Sequence, residues 1–484
     1  MRLGFLATII FAACTSTGTA AEYRVDSQEA FDALRSQQFL PGDTIRFQRG
    51  KRFTGMFAPT GSGSAQAPIV VDSYGQGQLP RIDAGGQFPA AVMLRNVSYW
   101  EINDLEVTNT DGTDRDQGTL FGIYGLIERQ EGVFRHIHID GCHVHDVNGL
   151  VAGKRRGGIH VHIVNCTKAR IDDLRITNNR INRIGGVGIG NDSSCGLVYV
   201  RATPVITRNL WTNVYVAKNF VDHTGRNNVI ARVSKDAIYE YNTLANSSRF
   251  DTGHSIFCFR TDGIRIQHNE AYGNVGAEDH DRGGFDADFN CANTFIQFNY
   301  SHDNMWFCGI MKRPNRDVVI RYNITQNERV GLYFYGFDEE QDAKNIHIYN
   351  NTHYTRRGLK VNVFPEKRTP LNSRFENNIF YFEEKGWWGN DGKEINTHFN
   401  NNLYFNIDPH PSDNHHAIVA DPEFTKAGHA GTHIDMVDKG SLLGFRLHPD
   451  SPAIGRGVTL EQSKPKADFF GRPVPTKLSL GASQ

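Results

Sequence analysis

Short stretches in which apolar and polar residues alternate return along most of the chain at a nearly regular interval. Each has a form close to apolar-x-apolar-x-x-Asn, as in VYVAKNFV, AIYEYNTL, IRIQHNEA, TFIQFNYS, VVIRYNIT and IHIYNNTH, followed by SRFENNIF and THFNNNLY. Alternation with period two is typical of a β-strand with one buried face. The aligned asparagines follow one another at intervals of 23 to 30 residues: Asn219, Asn242, Asn269, Asn299, Asn323, Asn351, Asn378 and Asn402. The pattern therefore predicts a repeat architecture.

A repeat of this length with two or three short strands fits one coil of a parallel β-helix. Each strand would then stack on its counterpart in the next coil, about 4.8 Å away. We expect an all-β fold of about ten or more coils. The asparagines would stack and hydrogen-bond from coil to coil, and they also tolerate left-handed turns. A propeller or a leucine-rich solenoid fits less well, because the chain has neither WD signatures nor a regular Leu pattern.

Both ends of the repeat region have signals of their own. The segment Ser27–Leu34 predicts a short helix with Ser27 as its N-cap, and a strand at Thr44–Phe47 follows. Such a helix would cover the open edge of the first coil. The repeats fade after Leu403. We therefore divide the chain into a signal segment at 1–21, a β-helix with its N-terminal cap at 22–403, and a tail at 404–484 that packs on the last coil.

The N-terminal segment has the features of an export signal. Arg2 gives the positive end, Leu3–Ala13 is apolar, and small residues precede position 22. A lipoprotein signal that uses Cys14 is the alternative. No other stretch is long and apolar enough to span a membrane. We therefore expect a secreted or periplasmic protein without a membrane span.

The charge balance of the chain bears on the partners it could bind. Lys and Arg number 52, Asp and Glu 53, and the net charge is −1, which gives no indication of nucleic-acid binding. We expect a monomer.

Export would permit disulfides, but spacing does not choose among the possible pairings, and buried free thiols are an equal alternative. The cysteines concerned are Cys142, Cys166, Cys195, Cys258, Cys291 and Cys308.

The strand that precedes each Asn repeat carries the candidate chemistry. These strands are predicted at Ile159–Ile163, Ser255–Arg260, Phe285–Asn290, Gly309–Arg313, Leu332–Phe337 and Leu359–Phe364. In GGFDADFN, alternation turns Phe285 and Ala287 inward and Asp286 and Asp288 outward. Two carboxylates on one strand are unusual, because Asp is depleted in strands. The outer face of this sheet is therefore the candidate site.

Asp286 and Asp288 are the first choice for a catalytic pair. Residues i and i+2 of a strand are about 7 Å apart at Cα, which allows carboxyl separations that suit glycoside hydrolysis. Two close carboxylates should also have different pKa values, so that one acts as an acid and the other as a base or nucleophile. Asp281 or Glu278, from the preceding loop, could replace one member. A structural Ca²⁺ site formed with Asp281 is the alternative.

Further residues on or beside the same face are assigned to substrate binding. They are His254, Arg260, Arg282, Lys312, Arg313, Tyr333, Tyr335, Lys360 and Asn362. Lys312 and Asp288 each precede their aligned Asn by 11 residues, so they are expected to stack on neighbouring coils. Tyrosines directed outward could stack on pyranose rings. His160 and His162, several coils away, are also directed outward and are expected to be surface residues.

The opening PGDTIRF, the Asn-marked coils and the closing LHPDSPAIGRG resemble secreted bacterial right-handed parallel β-helix proteins. This resemblance covers nearly the whole chain after the signal segment. It implies a right-handed β-helix and a carbohydrate-active enzyme that binds a sugar chain along one outer sheet. An ordered polygalacturonase set of NTD, DD, GHG and RIK blocks is missing, and so is the DPHD block of alginate epimerases. Fold alone does not give the activity.

Three functions remain open at this point. The first is hydrolysis of a poly- or oligosaccharide by the Asp pair, with no cofactor required. The second is a polysaccharide lyase, with Lys312 or Arg313 as base, Tyr333 or Tyr335 as acid, and Ca²⁺ on the Asp cluster. The third is a glycan-binding or surface protein without catalysis. The mixture of acids, bases and tyrosines favours the hydrolase.

Overall fold

The chain folds into a long right-handed helix of parallel strands, as the repeat predicts. A computed structural model describes residues 19–113, 120–149, 153–195, 209–276, 281–311, 315–336, 343–365, 370–389, 393–407, 411, 415–460 and 465–484. Nearly the whole signal segment, including Cys14, lies outside these residues. Every pairing between the strands of the coils is parallel, and successive coils contribute one strand to each of three sheets.

The first sheet contains the repeat strands found in the sequence. Its members are Glu22–Val25, Thr44–Gln48, Ile69–Tyr74, Trp100–Asn103, Val133–Asp140, Arg170–Thr177, Thr212–Ala217, Ile238–Glu240, Arg265–Gln267, Ala292–Gln297, Asn315–Arg321, Ala343–Tyr349, Ser373–Glu376 and His398–Asn400.

The second sheet follows the Asn position of each coil. Its members are Arg52–Thr54, Arg81–Asp83, Glu106–Asn109, His143–Val147, Arg180–Ile184, Phe220–Thr224, Thr243–Ala245, Glu270–Tyr272, Tyr300–His302, Ile324–Gln326, Thr352–Thr355, Ile379–Gly389, Leu403–Ile407 and Ile418–Val419.

The third sheet holds the candidate site. Its members are Ala90–Arg95, Phe121–Ile127, Gly157–Ile163, Val187–Ser193, Val229–Arg232, Ile256–Phe259, Gly283–Ala287, Trp306–Ile310, Gly331–Tyr335 and Asn362–Phe364. The six strands predicted to carry the site all have counterparts in this list, with ends that differ by a few residues.

A buried ladder of asparagine amides connects the coils at the turn between the first and second sheets. From Asn219 onward, each Asn Oδ1 accepts from the backbone N and from Nδ2 of the Asn one coil earlier, at 2.9–3.1 Å. The ladder comprises Asn179, Asn219, Asn242, Asn269, Asn299, Asn323, Asn351, Asn378 and Asn402. The predicted ladder is thus confirmed. The left-handed conformation, however, belongs to the residue before each Asn, such as Lys218, Tyr241 and His268.

The interior of the coil is a continuous apolar core of stacked Ile, Val, Leu and Phe side chains from all three sheets. Cys166 and Cys195 form a disulfide, whereas Cys142, Cys258, Cys291 and Cys308 are buried free thiols. The chain therefore contains both a disulfide and buried free thiols, the two alternatives that the sequence left open.

The N-terminal helix is found where the sequence places it. It spans Gln28–Leu34, and the side chain of its N-cap, Ser27, accepts a hydrogen bond from Ala30 N at 3.2 Å. Phe31 packs on Phe47 and Phe53 of the first coils. The helix therefore covers the end of the core. It is too short to span a membrane, and no helix among the described residues is long and apolar enough to do so.

The C-terminal tail lies along the side of the coils and does not stop at the last one. It contains a 3-10 helix at Gly440–Phe445. Near the last coil, Asn401 Nδ2 donates to Arg456 O. Several coils earlier, Ile434 N donates to Glu270 Oε2 at 3.0 Å. Because these contacts reach back over much of the β-helix, the tail covers part of its outer surface instead of only capping it.

Candidate active site

Asp286 projects from the outer face of the third sheet near the middle of the β-helix. Its neighbours Phe285 and Ala287 lie in the apolar core, so the predicted alternation is confirmed. Strand pairing places Asp286 between Phe257 of the preceding coil and Gly309 of the following one. Its side chain is nevertheless only 2% exposed, and that of Asp288 is 8% exposed. The two acids therefore occupy a desolvated site and not an open surface.

His254 connects two of the carboxylates. Its Nδ1 accepts a hydrogen bond from Gly283 N at 3.1 Å, which assigns the proton of the neutral ring to Nε2. Nε2 lies 3.4 Å from Asp286 Oδ2 and 3.7 Å from Asp281 Oδ1. The imidazole of His254, which the sequence assigned to substrate binding and offered as a weaker acid or base candidate, thus faces both acids. Asp281 reaches this cluster from the loop, as the sequence allowed.

Burial raises the pKa of Asp286 well above its usual range, and the charges of Asp288 and Asp281 raise it further. The positive charge of Lys154 opposes this effect. A carboxyl group in such surroundings holds its proton at a pH where ordinary carboxyl groups are ionised. Asp286 therefore has the property expected of a general acid.

Lys154 is a site residue that the sequence pattern did not reveal. Its Nζ lies 3.7 Å from Asp281 Oδ2 and 4.8 Å from the centre of the Phe257 ring. Burial lowers the pKa of Lys154, and the charges of Asp281 and Asp288 oppose this shift. Because it comes from a connecting segment more than 100 residues before the acids, no local pattern could have assigned it to this site.

Apolar side chains flank the acids along the helix axis. On the N-terminal side, Phe257 packs with Val187 and Ile230. On the C-terminal side, Trp306 stacks on Phe334 at 4.8 Å, and Met311 joins them. A few polar groups within an apolar surround are typical of sites that bind small ligands such as sugars.

Among the described residues, Asp286 Oδ1 and Trp306 Nε1 at this place have no hydrogen-bond partner, and His254 Nε2 has only the two carboxylate oxygens at 3.4 and 3.7 Å. Buried polar atoms are rarely left without a partner, because that costs about 1–3 kcal/mol each. One acceptor and two donors in one site are suited to the hydroxyl groups of a ligand.

The expected orientation of Tyr333 and Tyr335 is wrong. Both side chains are fully buried in the core. Tyr333 Oη lies 2.9 Å from His353 Nε2, and Tyr335 Oη lies 2.8 Å from Ser373 Oγ. The outward residue of this strand is Phe334, which pairs with Gly309. The tyrosines are buried because interior partners satisfy their hydroxyl groups.

His160 and His162 are not surface residues, which corrects a second expectation. They project outward as predicted, but both are buried. His160 Nδ1 lies 3.3 Å from His162 Nε2, and Tyr124 Oη lies 3.3 Å from His162 Nδ1. Burial lowers the pKa of His160 to about 3 and that of His162 well below its usual range, so both rings are neutral at ordinary pH.

The remaining predicted site residues have separate locations. Arg260 is buried and donates from Nη2 to Cys195 O at 3.3 Å. Arg282 is half-buried beside Asp281. Lys360 is exposed. Asn362 pairs with Gly331, and Gly331 in turn pairs with Trp306 of the preceding coil. Lys312, Arg313 and Glu278 lie outside the described residues, so the proposed stacking of Lys312 on Asp288 stays a prediction.

A calcium site on the Asp cluster also stays a prediction. Within the described part of the chain, donor groups close enough to share a metal ion occur on the first and second sheets, at Glu101–His136–His138 and at Glu106–His143–His145. In the Asp cluster, Lys154 supplies a positive charge next to Asp281. An ammonium group at that position competes with a divalent cation for the same oxygen.

Comparisons with known proteins agree with this architecture. The chain matches no family model. It is 26% identical to a lacto-N-biosidase of Bifidobacterium longum subsp. longum over 91% of its own length, but it spans only about a third of that protein, 34%. Two crystal structures of a GH136 lacto-N-biosidase from Eubacterium ramulus share the fold. The native form has a TM-score of 0.59 at 18% identity, with 83% of this chain and 68% of that chain aligned. The selenomethionine form has a TM-score of 0.60, with 79% and 67% aligned.

Proposed function

We propose that the protein is a glycoside hydrolase that cleaves an oligosaccharide on the outer face of the third sheet, with Asp286 as the general acid. The observation that carries this proposal is the desolvated carboxyl group of Asp286, whose pKa is raised by burial and by two neighbouring carboxylates. Hydrolysis needs one carboxyl group that is protonated and one that is ionised.

In this mechanism Asp286 donates its proton to the glycosidic oxygen as the bond to the anomeric carbon breaks. Asp288, the first residue after the strand Gly283–Ala287, is the ionised partner. It either attacks the anomeric carbon or activates the water that does so. Because the charge of Asp288 is the largest electrostatic influence on the pKa of Asp286, each carboxyl group favours the opposite protonation state of the other.

Asp281, His254 and Lys154 have positioning roles in this proposal. Asp281 forms an ion pair with Lys154 and lies opposite His254 Nε2. His254 is held by Gly283 N and presents Nε2 to Asp286. The three residues fix the rotamer of Asp286 and set the local charge, which a catalytic acid requires in addition to its own pKa.

The relatives suggest which glycosides to try first. Lacto-N-biosidases act on oligosaccharides, and the similarity to two of them extends over most of this chain. Apolar side chains lie on both sides of Asp286, as is typical of sites that bind small ligands. We therefore propose an oligosaccharide substrate with a lacto-N-biose unit on one side of that bond.

The direct test is incubation with p-nitrophenyl lacto-N-bioside, with other p-nitrophenyl glycosides and with a panel of plant, algal and host glycans. We expect release of nitrophenol from the lacto-N-bioside and new reducing ends from an oligosaccharide. If the Asp286→Asn and Asp288→Asn variants both keep full activity, the proposed mechanism is overturned. Unsaturated products that absorb in the ultraviolet would instead indicate a lyase.

The lyase alternative loses part of its support from the site geometry. It assigned the acid to Tyr333 or Tyr335, and both hydroxyl groups lie in the interior with His353 and Ser373 as partners. A polyanionic substrate on the outer face cannot reach them. A hydrolase therefore accounts better for the arrangement.

A further inference from the structure

Two free thiols meet in the core directly beneath the strand that carries Asp286. Cys258 Sγ and Cys291 Sγ lie 3.4 Å apart, and both side chains are fully buried. Thr261 Oγ1 donates to Cys291 Sγ at 3.5 Å. A disulfide bond has a sulfur–sulfur distance of about 2.05 Å, so the two sulfurs would have to come about 1.4 Å closer to form one.

The two cysteines belong to neighbouring coils. Cys258 lies in the strand Ile256–Phe259 and pairs with Ala287. Cys291 follows Asp288 at the corner before the strand Ala292–Gln297. Cys258 Sγ also lies 3.6 Å from the carbonyl oxygen of Asp286. A bond between the two sulfurs would therefore tie the strand and corner that hold both candidate catalytic acids to the coil before them.

The other two free cysteines have different surroundings. Cys142 Sγ contacts the carbonyl oxygens of Ile102 and Asp140, and Cys308 Sγ contacts that of Gly309. The pair Cys258–Cys291 is the one contact between free thiol groups among the described cysteines. Proximity therefore singles out these two positions and provides two controls in the same core.

We propose that Cys258 and Cys291 form a second disulfide, which clamps the Asp286 strand to the preceding coil. The disulfide Cys166–Cys195 in the same chain indicates an oxidising compartment, where such a bond persists. Although burial opposes it, hydrogen bonds from Cys258 and Thr261 lower the pKa of Cys291, which favours the thiolate as the attacking group.

The oxidant is a small-molecule or protein disulfide that reacts while the coils are still assembling. The first thiolate displaces one sulfur of the oxidant and forms a mixed disulfide. The second cysteine then displaces the remaining sulfur as a thiolate. Two electrons and two protons leave the protein in total, and the oxidant is released as two thiols. Once the core has closed, the bond is shielded from reductants.

Peptide mapping tests the proposal on the full chain. The protein is prepared by export or by refolding with oxidised glutathione, denatured, alkylated with N-ethylmaleimide and digested without reduction. We expect one linked peptide that contains Cys258 and Cys291, two hydrogens lighter than its reduced parts, together with the Cys166–Cys195 peptide. Cys142 and Cys308 should be alkylated. Alkylated Cys258 and Cys291 in a sample whose Cys166–Cys195 peptide is linked would overturn the proposal.

Thermal unfolding gives a second readout. In a Cys166→Ala, Cys195→Ala background, reduction during unfolding should lower the melting temperature by about 3–8 °C, because the bond closes a loop of intermediate length. Adding Cys258→Ala and Cys291→Ala should abolish this dependence on reductant. Adding Cys142→Ala and Cys308→Ala instead should leave it in place. A melting temperature in the first background that does not respond to reductant contradicts the second disulfide.

Discussion

The side chain of Asp286 occupies the space that Gly309 leaves free on the next coil. A Cβ atom at position 309 would lie 2.8 Å from Asp286 Oδ1. The obstructing atom is the end of a movable side chain, so an alanine there would displace the carboxyl group and leave the backbone in place. We expect Gly309→Ala to lower kcat/KM by about 10- to 100-fold, because catalysis is sensitive to displacements of about 1 Å.

The control for this variant lies in the same outward row of the sheet. A Cβ at Gly190 would meet His160 Cε1 at 2.7 Å, far along the helix from Asp286. Gly190→Ala should therefore reduce activity much less than Gly309→Ala, while both variants keep a melting temperature near that of the parent protein. Equal activity of the Gly309→Ala variant and the parent would show that the position of Asp286 is not critical.

The role of Asp286 as an acid predicts a dependence on the leaving group. Asp286→Asn should lower kcat/KM for an oligosaccharide by about 10²- to 10⁴-fold. The loss should be much smaller with a p-nitrophenyl glycoside, since nitrophenolate leaves without a proton. Asp288→Asn should impair both substrates. Asp140→Asn, on the outer face of the first sheet, is the control and should impair neither.

The charges around Asp286 predict shifts of the pH profile. If the protonated carboxyl group is the active form, activity is lost as the pH rises through the pKa of Asp286. Lys154 lowers this pKa and Asp288 raises it. Lys154→Met should therefore move the alkaline limb of kcat/KM to higher pH, measured with an oligosaccharide between pH 4 and 9. A shift to lower pH would contradict the assignment of the acid.

Glu328 predicts a pH dependence of stability that does not involve the site. Burial raises the pKa of this fully buried carboxyl group from 4.5 to about 7, although Ser301 and Asn304 N donate to it. Between these two pH values the native state holds a proton that the unfolded state releases. Its contribution to the free energy of unfolding is therefore lost as the pH rises towards 7.

Glu328→Gln should remove this loss, because glutamine stays neutral. Relative to the parent, the variant should gain about 2–4 kcal/mol between pH 4 and pH 8, measured by urea unfolding at both values. Glu131→Gln, on the exposed surface, should show no such gain. A constant difference between parent and Glu328→Gln at the two pH values would contradict the raised pKa.

The asparagine ladder predicts a large loss of stability in the middle of the β-helix. Asn299 Oδ1 accepts from Asn269 N and Nδ2, and Asn299 Nδ2 donates to Ile266 O and Asn323 Oδ1. Asn299→Ala leaves these buried groups without partners, which should cost about 3 kcal/mol. Asn103→Ala, on the outer face of the first sheet, should cost well under 1 kcal/mol. Urea unfolding of both variants checks this difference.

The fold was predictable from the sequence because the ladder leaves a direct trace in it. A buried amide that must meet its counterpart in the next coil requires Asn at one position of every repeat from Asn179 to Asn402, whatever the length of the connecting loops. The same regularity located the strand of Asp286 and its outward side chains. The N-cap at Ser27 was likewise readable from a local pattern.

The surroundings of the acids were less predictable, for physical reasons that individual residues make clear. Alternation assumes an apolar inside and a polar outside, but Phe334 and Trp306 lie on the outer face and Tyr333 lies inside. A tyrosine can be buried when its hydroxyl finds a partner such as His353. Lys154 approaches from a distant segment, and such long-range placement leaves no periodic signal.

The amide ladder also bears on how a chain of this kind can change its length. Each coil from that of Asn219 to that of Asn378 presents the same acceptor to the coil before it and the same donors to the coil after it, and the ladder asparagines from Asn219 to Asn402 follow one another at intervals of 23 to 30 residues. At the ladder, the two faces of each of these coils therefore match those of its neighbours. Duplication or deletion of one such coil would lengthen or shorten the β-helix and keep the amide ladder continuous across the junction.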